Sequence, residues 1–172
     1  IIMNLQPTFI NEIVQIVPLK ESDFDDLFTI ASDKLLWEQH PEKERYKKEV
    51  FQEFFNVAIA SESAFKFVDV KTGNPIGTSR YYEFKETESS IAIGYTFIER
   101  KYWATPYNRA IKNLMINYAF QFVESIIFHV GDTNFRSQKA VEKLGAIRTE
   151  TILNKETGKT HFIFTLTKSN WR

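Results

Sequence analysis

The chain has no cysteine, which excludes disulfides, thiolate-held zinc and a cysteine nucleophile, and agrees with a reducing cytoplasm as its expected location. It also lacks an excess of either charge: 22 Lys plus Arg balance 22 Asp plus Glu, so no net field exists to hold a phosphate backbone or an anionic membrane. Neither nucleic acid nor membrane is therefore an expected partner, although a local basic pocket is compatible with the balance. No long apolar run occurs, and Ile1 to Asn11 lack the basic region, apolar stretch and small-residue cleavage site of a secretory signal. Met3 in third place marks residues 1–11 as a start that is loosely ordered or in part additional to the natural one. Histidine is scarce: His40, His129 and His161 stand far apart, none in a ligand spacing such as H-E-x-x-H, so no metal is expected.

What the sequence does contain is apolar bulk. Of its 172 residues 43% are hydrophobic and 15% aromatic, enough for one core, and residues 1–172 are read as a single domain. Glu12 to Val17 is short, β-branched and stopped by Pro18, as a strand would be. Ser22 and Asp25 have capping-box spacing ahead of Leu27, Phe28, Ala31 and Leu35, which predicts a helix. Trp37 to Pro41 interrupts it, and Pro41 fits the first turn of a second helix striped by Tyr46, Val50, Phe54, Val57 and Ala58. From Ala64 the period changes to two. Phe65 to Val70, Pro75 to Phe84 and Ser89 to Ile98 read as an antiparallel meander, in which Gly94 marks a bulge or a close backbone approach. Tyr107 to Glu124 carries the clearest helical stripe, and Ile126 to Val130 is a buried strand candidate. Asn134 to Leu144 reads as a helix with Asn134 as N-cap and Gly145 as terminator, ahead of two last strands, Ile147 to Leu153 and Thr160 to Thr167. The order is that of an α/β protein with a mixed sheet.

Few residues announce chemistry. His129 lies in an apolar strand and His161 opens another, so both are read as packed or edge residues, whereas His40 stands in the aromatic and charged interruption between two helices. The junction from Ile98 to Pro106 joins a strand to the long helix, whose N-terminus would offer unpaired N–H groups and the positive end of its dipole to a phosphate or pyrophosphate. Such junctions are common and carry no function alone.

Here the residues resemble a family. Tyr102-Trp103-Ala104-Thr105-Pro106-Tyr107-Asn108-Arg109 is similar to the Tyr-Trp-Gly-Thr-Gly-x-Asn-Arg pyrophosphate loop of GCN5-related N-acetyltransferases (GNAT), in particular the ribosomal-protein-alanine acetyltransferase subgroup. Asn134-Phe135-Arg136-Ser137 followed by Glu142-Lys143-Leu144-Gly145-Ala146 resembles that subgroup's Asn-x-Arg-Ser...Glu-Lys-Leu-Gly-Phe helix. The element order agrees, so the resemblance covers nearly the whole chain and implies a mixed, mostly antiparallel sheet of about seven strands with about four helices. Ala104 and Pro106 replace both loop glycines, and Pro106 has no N–H for a phosphate.

The resemblance implies site residues. Acetyl-CoA, the co-substrate, would pair its pantetheine arm with the strand at Thr96, Phe97 and Ile98, and seat its pyrophosphate at Trp103, Ala104, Thr105, Tyr107, Asn108 and Arg109, with Asn134 and Ser137 contributing from the second motif. Acyl transfer to an amine needs a base or water chain, donors at the carbonyl oxygen and an acid for the leaving thiolate. Val141 occupies the place of the tyrosine that many relatives use as that acid, and Ser137 matches the subgroup's serine in the role; it is equally placed to bond within its own helical turn. Trp37, Glu38 and His40 lie where the family forms its acceptor pocket, with Glu38 and His40 as candidate bases, and Arg80 and Glu83 lie on a strand that reaches the same cleft. The plain alternatives are a solvated loop around one buried Trp and a surface strand pair.

The expected function is acetyl-CoA-dependent N-acetylation by direct attack of a primary amine, either a protein N-terminus or a small amine. An acyl-CoA-binding module of the same fold without turnover is the alternative, and a structural interaction domain the third. A homodimer is the assembly left open.

Overall fold

The computed structural model describes residues 2–172. Strands β1 (Phe9–Ile10), β2 (Val14–Pro18), β3 (Ala64–Asp69), β4 (Pro75–Lys85), β5 (Ser90–Ile98), β6 (Ser125–Gly131), β7 (Ile147–Leu153) and β8 (Thr160–Thr167) form one eight-stranded sheet in the order β1-β2-β3-β4-β5-β6-β8-β7. Every described pairing is antiparallel except β5 with β6. That one parallel contact needs a crossover, which helix α3 (Pro106–Ala119) supplies.

Side chains alternate across the sheet, so each face collects its own core. On one face α3 and α4 (Phe135–Lys143) pack over Phe65, Phe67, Ile91, Ile93, Ile126, Phe128 and Phe164, with Tyr81 donating from its hydroxyl to the Met115 carbonyl at 2.6 Å. On the other, α1 (Phe24–Ala31) and α2 (Lys48–Ala60) enclose Leu27, Phe51, Phe55 and Phe97. Each such side chain, fully buried, contributes about 1.5–3 kcal/mol.

The sequence expectations hold for the meander and for three of the helices, with shifts that have local causes. The second helix starts at Lys48, not at Pro41. Pro41 instead packs on the end of β6, where a Cβ at Gly131 would meet its ring at 2.4 Å, and residues up to Lys47 are turns. The buried face of α2 is Phe51, Phe55 and Ala58 rather than the stripe through Tyr46, Val50 and Val57; the sequence offers adjacent apolar pairs at 50–51 and 54–55, and either seam satisfies the period. The chain entry to α1 is fixed by Lys20 and Asp23 rather than by a Ser22–Asp25 box: the Lys20 N–H donates to the Asp23 carboxylate at 2.8 Å, and the Asp23 N–H to the Lys20 carbonyl at 2.9 Å. Leu35 lies beyond α1, half exposed. The long helix begins one residue earlier than expected and ends at Ala119. The first residues are packed rather than loose: Met3 is buried, β1 pairs with β2, and Tyr118 donates to the Asn4 carbonyl.

Candidate active site

Strands β5 and β6 pair only at Ser90–Ser125, Ile91–Ile126 and Ala92–Ile127 and then diverge. β5 is pushed away by a bulge. Its partner β4 advances two residues from Thr78 to Arg80 while β5 advances three, from Phe97 to Gly94, and Tyr95 takes a left-handed φ of 54°. The kink follows Gly94 by one residue; at Gly94 itself a Cβ would lie 3.0 Å from the Tyr82 ring. Side chains of the kinked stretch are committed elsewhere: Thr96 bonds Ser79 at 2.7 Å, while Phe97 and Ile98 are buried. What β5 has for a guest in the gap is backbone, along Thr96 to Ile98.

The loop after β5 ends at the α3 N-terminus, beside the gap. Thr105 is the N-cap, accepting from the Tyr107 N–H, and Pro106 takes the first helical position. Ala104 has φ 56°, a conformation that glycine adopts freely and alanine at a cost of about 1 kcal/mol or more, so the loop keeps the shape a glycine would give it. Trp103 donates to the Ile98 carbonyl at 3.0 Å. Tyr102 and Tyr107 pack with tilted rings, centroids 4.6 Å apart, and donate to the two oxygens of Asp69, a buried residue of β3 that sequence reasoning did not single out. Burial alone would raise the Asp69 pKa; the bonds from Tyr107, the Lys71 N–H, Tyr102 and Thr72 outweigh it and hold the carboxyl below its ordinary range. Arg109 turns away, its guanidinium 4.6 Å from the Trp171 ring.

Across the gap, Asn134 caps α4 by accepting from the Ser137 N–H at 3.4 Å. The half-buried Ser137 hydroxyl bonds no described residue, so its bond within the turn runs through its backbone and leaves the side chain unused. Arg136 stacks on Trp103 at 3.6 Å, and its N–H donates to the Gln39 side chain at 3.0 Å. These contacts bring the Trp37–Pro41 segment against the mouth of the gap.

Within that segment Trp37 is core, 2% exposed, donating to the Ala31 carbonyl and packed edge-on to Phe97. His40 accepts the Glu42 N–H at Nδ1, 2.9 Å, which leaves its neutral ring protonated at Nε2. Burial and the cations Arg45, Arg136 and Lys159 push its pKa down to about 3. Glu38 is exposed, and its bonds run through its backbone, the N–H to the Leu35 carbonyl and the carbonyl from Lys43.

A profile of the acetyltransferase (GNAT) domain matches residues 14–147. The chain belongs to the GNAT acetyltransferase family. Solved GNAT structures share its fold across wide distances in sequence. A GCN5-related N-acetyltransferase from Brucella melitensis is similar at TM-score 0.83 and 18% identity, covering 96% of this chain and 80% of that one. The spermidine N-acetyltransferase of Vibrio cholerae, solved with CoA and spermine, has TM-score 0.71 and 16% identity over 93% and 98% of the two chains. The ribosomal-protein-S5-alanine acetyltransferase of Vibrio fischeri has 0.67 and 19% over 96% and 99%. No curated protein matches in sequence.

In this GNAT chain the residue facing Gly94 across the gap, continuing the β5–β6 register past Ala92–Ile127, is His129. Read from sequence as a packed or edge residue, it is exposed, with Nε2 3.7 Å from the Glu83 carboxylate and Nδ1 3.2 Å from His161 Nε2. Burial lowers its pKa, partly offset by Glu83, so the ring is neutral at pH 7. Spacing in sequence hid the cluster, because the sheet brings Glu83, His129 and His161 together from three strands; only a strand-pairing register would have exposed it. Among the described residues, no group of three or more His, Cys, Asp or Glu is arranged to hold a metal.

Proposed function

We propose that the protein transfers an acetyl group from acetyl-CoA directly to a primary amine. The observation that carries this is the conjunction of the β5–β6 gap with the α3 N-terminus: one supplies strand edge for an extended amide-bearing arm, and the other, reached by the loop that follows β5, a positive helix end for its phosphates. Pro106 withholds one N–H, but the left-handed Ala104 keeps the loop's curvature.

The amine nitrogen attacks the thioester carbonyl, the C–N bond forms, and the C–S bond breaks as the tetrahedral intermediate collapses. Ser137, its hydroxyl uncommitted, gives the leaving sulfur its proton. His129 takes the proton released by the amine, with Glu83 stabilising the imidazolium that results. This role suits His129 better than His40, whose Nδ1 is engaged and whose surroundings are cationic.

The resemblance around Asn134–Ser137 supports a protein N-terminus as acceptor, and the polyamine enzyme among the structural relatives supports a small amine. Calorimetry with acetyl-CoA, followed by mass-spectrometric trapping of acetylated products from mixed amines and peptides, tests the reading. Heat of binding with a product 42 Da heavier than its amine is the expected result, on the order of the mass of one added acetyl unit. Binding with no product and no free thiol from any acceptor would favour the non-catalytic acyl-CoA-binding alternative. Absence of binding at millimolar acetyl-CoA would overturn both.

A further inference from the structure

Arg80 on β4 is 5% exposed, lies opposite Gly94 in the register, and thus stands beside the bulge that opens the gap. Its guanidinium is 3.5 Å from the centre of the Tyr95 ring. Nε and Nη1 are buried with no hydrogen-bond partner, and no carboxylate of the described residues lies within ion-pair distance. Arginine is always charged, and a buried cation whose donors find no acceptor is costly; native proteins keep such groups where something else supplies the acceptor. Tyr95 shares the anomaly, combining a left-handed φ with a ring that is 43% exposed over the guanidinium.

A second cation stands nearby. Arg45 lies over the rings of Phe54 and Trp37 at 4.5 and 5.2 Å, and Phe54 in turn neighbours Tyr95 at 6.3 Å. It too has no ion pair with a described residue, although Glu42 lies within its field. The rings of Trp37, Phe54 and Tyr95, faces on which an ammonium could otherwise rest, are therefore already covered by guanidinium groups. A polyamine would meet like charge here.

We propose that Arg80, supported by Arg45, anchors an anionic group on the acceptor, so that the substrate is a small primary amine that also bears a carboxylate or a phosphonate or phosphate. This rests on the acetyl-transfer reading and narrows its acceptor. A carboxylate or phosphoryl group matches the planar fork of the guanidinium, and its arrival supplies the acceptors that Nε and Nη1 lack. Tyr82, whose ring covers Gly94 and lies 6.0 Å from that of His129, sits between the anchor and the proposed base.

The test has two independent arms. In the first, sodium acetate and inorganic phosphate are titrated against the protein without coenzyme, with melting temperature and calorimetric heat as readouts. Arg80-dependent binding is expected: at least tenfold weaker in Arg80→Gln, and largely retained in Arg80→Lys, which keeps the charge. Equal binding by wild type and a folded Arg80→Gln, or no binding by wild type, overturns the proposal whatever the enzyme does. In the second, kcat/KM is compared for amino acids and aminoalkylphosphonates, for the amides of the same amino acids, and for spermidine. The anionic amines are expected to lead by tenfold or more, and Arg80→Gln to erase that lead with acetyl-CoA affinity unchanged. Spermidine or the amides matching the anionic set would refute the anchor while leaving acetyl transfer standing. Arg80-dependent anion binding with no turnover of any amine would instead refute the transfer reading and leave the anchor standing.

Discussion

The Tyr107 hydroxyl donates to Oδ1 of Asp69 at 2.9 Å, tying the first turn of α3 to the end of β3. Tyr102 holds the other carboxylate oxygen at 3.0 Å, so a single buried residue fixes both ends of the phosphate-side loop. Asp69→Asn is expected to lose about 2–4 kcal/mol of stability in urea unfolding, since both phenols keep their bulk but lose a charged acceptor. Acetyl-CoA affinity should fall in the same variant at temperatures where it remains folded.

The same carboxyl gives an acid limit. Its folded pKa lies below the unfolded one, so its contribution to stability is complete above the ordinary carboxylate range and is lost as pH falls through the lower folded value. His40 acts earlier. Its pKa falls from 6.5 to about 3, so the unfolded chain binds a proton that the folded one refuses, and stability should decline as pH drops from about 6.5 toward 3. His40→Gln should flatten the upper part of that decline, read as urea midpoints at successive pH values.

Lys112 adds a limb of the same sign on the alkaline side. It is 7% exposed on α3, under the Phe128 ring, and burial pushes its pKa down to about 8. Between about 8 and the ordinary 10.5 the folded state has released a proton that the unfolded state still holds, so stability should rise with pH across that window. Replacing the charge with a methylene body, Lys112→Met, is expected to stabilise the protein at pH 7 by roughly 1–3 kcal/mol and to abolish the rise.

Catalysis separates the roles proposed across the gap. Ser137→Ala should lower kcat by tenfold or more with little change in acetyl-CoA affinity, because protonating the thiolate matters only in the transition state. His129→Gln should lower kcat/KM and remove an acid limb whose midpoint lies below 6.5, the direction in which burial moves this ring. A profile that keeps its limb in the His129 variant would return the base to Glu38 or His40.

The backbone approach at Gly77 offers a structural test of the bulge. A Cβ there would lie 2.1 Å from the Phe97 carbonyl oxygen, a backbone atom with little room to yield. Gly77→Ala is expected to cost about 1–3 kcal/mol or more and to weaken acetyl-CoA binding, measured by thermal melting and calorimetry.

Elements with a strong period were legible in the sequence, and so was the junction of strand and long helix near Pro106, because a proline at a helix start is a local matter of residue type. Asn134 as the α4 N-cap followed from the same logic. The long α3 stripe was recoverable from its spacing alone. The displaced seam of α2 was not, since Phe51 and Val50 both satisfy the period and only the packing of α1 chooses between them. Asp69 and the cluster around His129 escaped for another reason: each acquires its meaning from residues more than 30 positions away, brought near by strand register. Trp37 shows the converse error, an aromatic expected in a pocket wall that folding used as core.

The short β5–β6 pairing also bears on where the chain can be divided. Of the backbone ladders, only Ser90–Ala92 with Ser125–Ile127 joins the five strands that precede α3 to the three that follow it. The loop Glu99 to Thr105 between those groups is therefore a natural cleavage point: fragments severed there would each carry complete hairpins, and would reassemble chiefly through the apolar underside of α3 and the Asp69 clasp. A ligand lying in the opening would touch both pieces, so the severed protein would act as a reporter whose reconstitution is driven by whatever binds there.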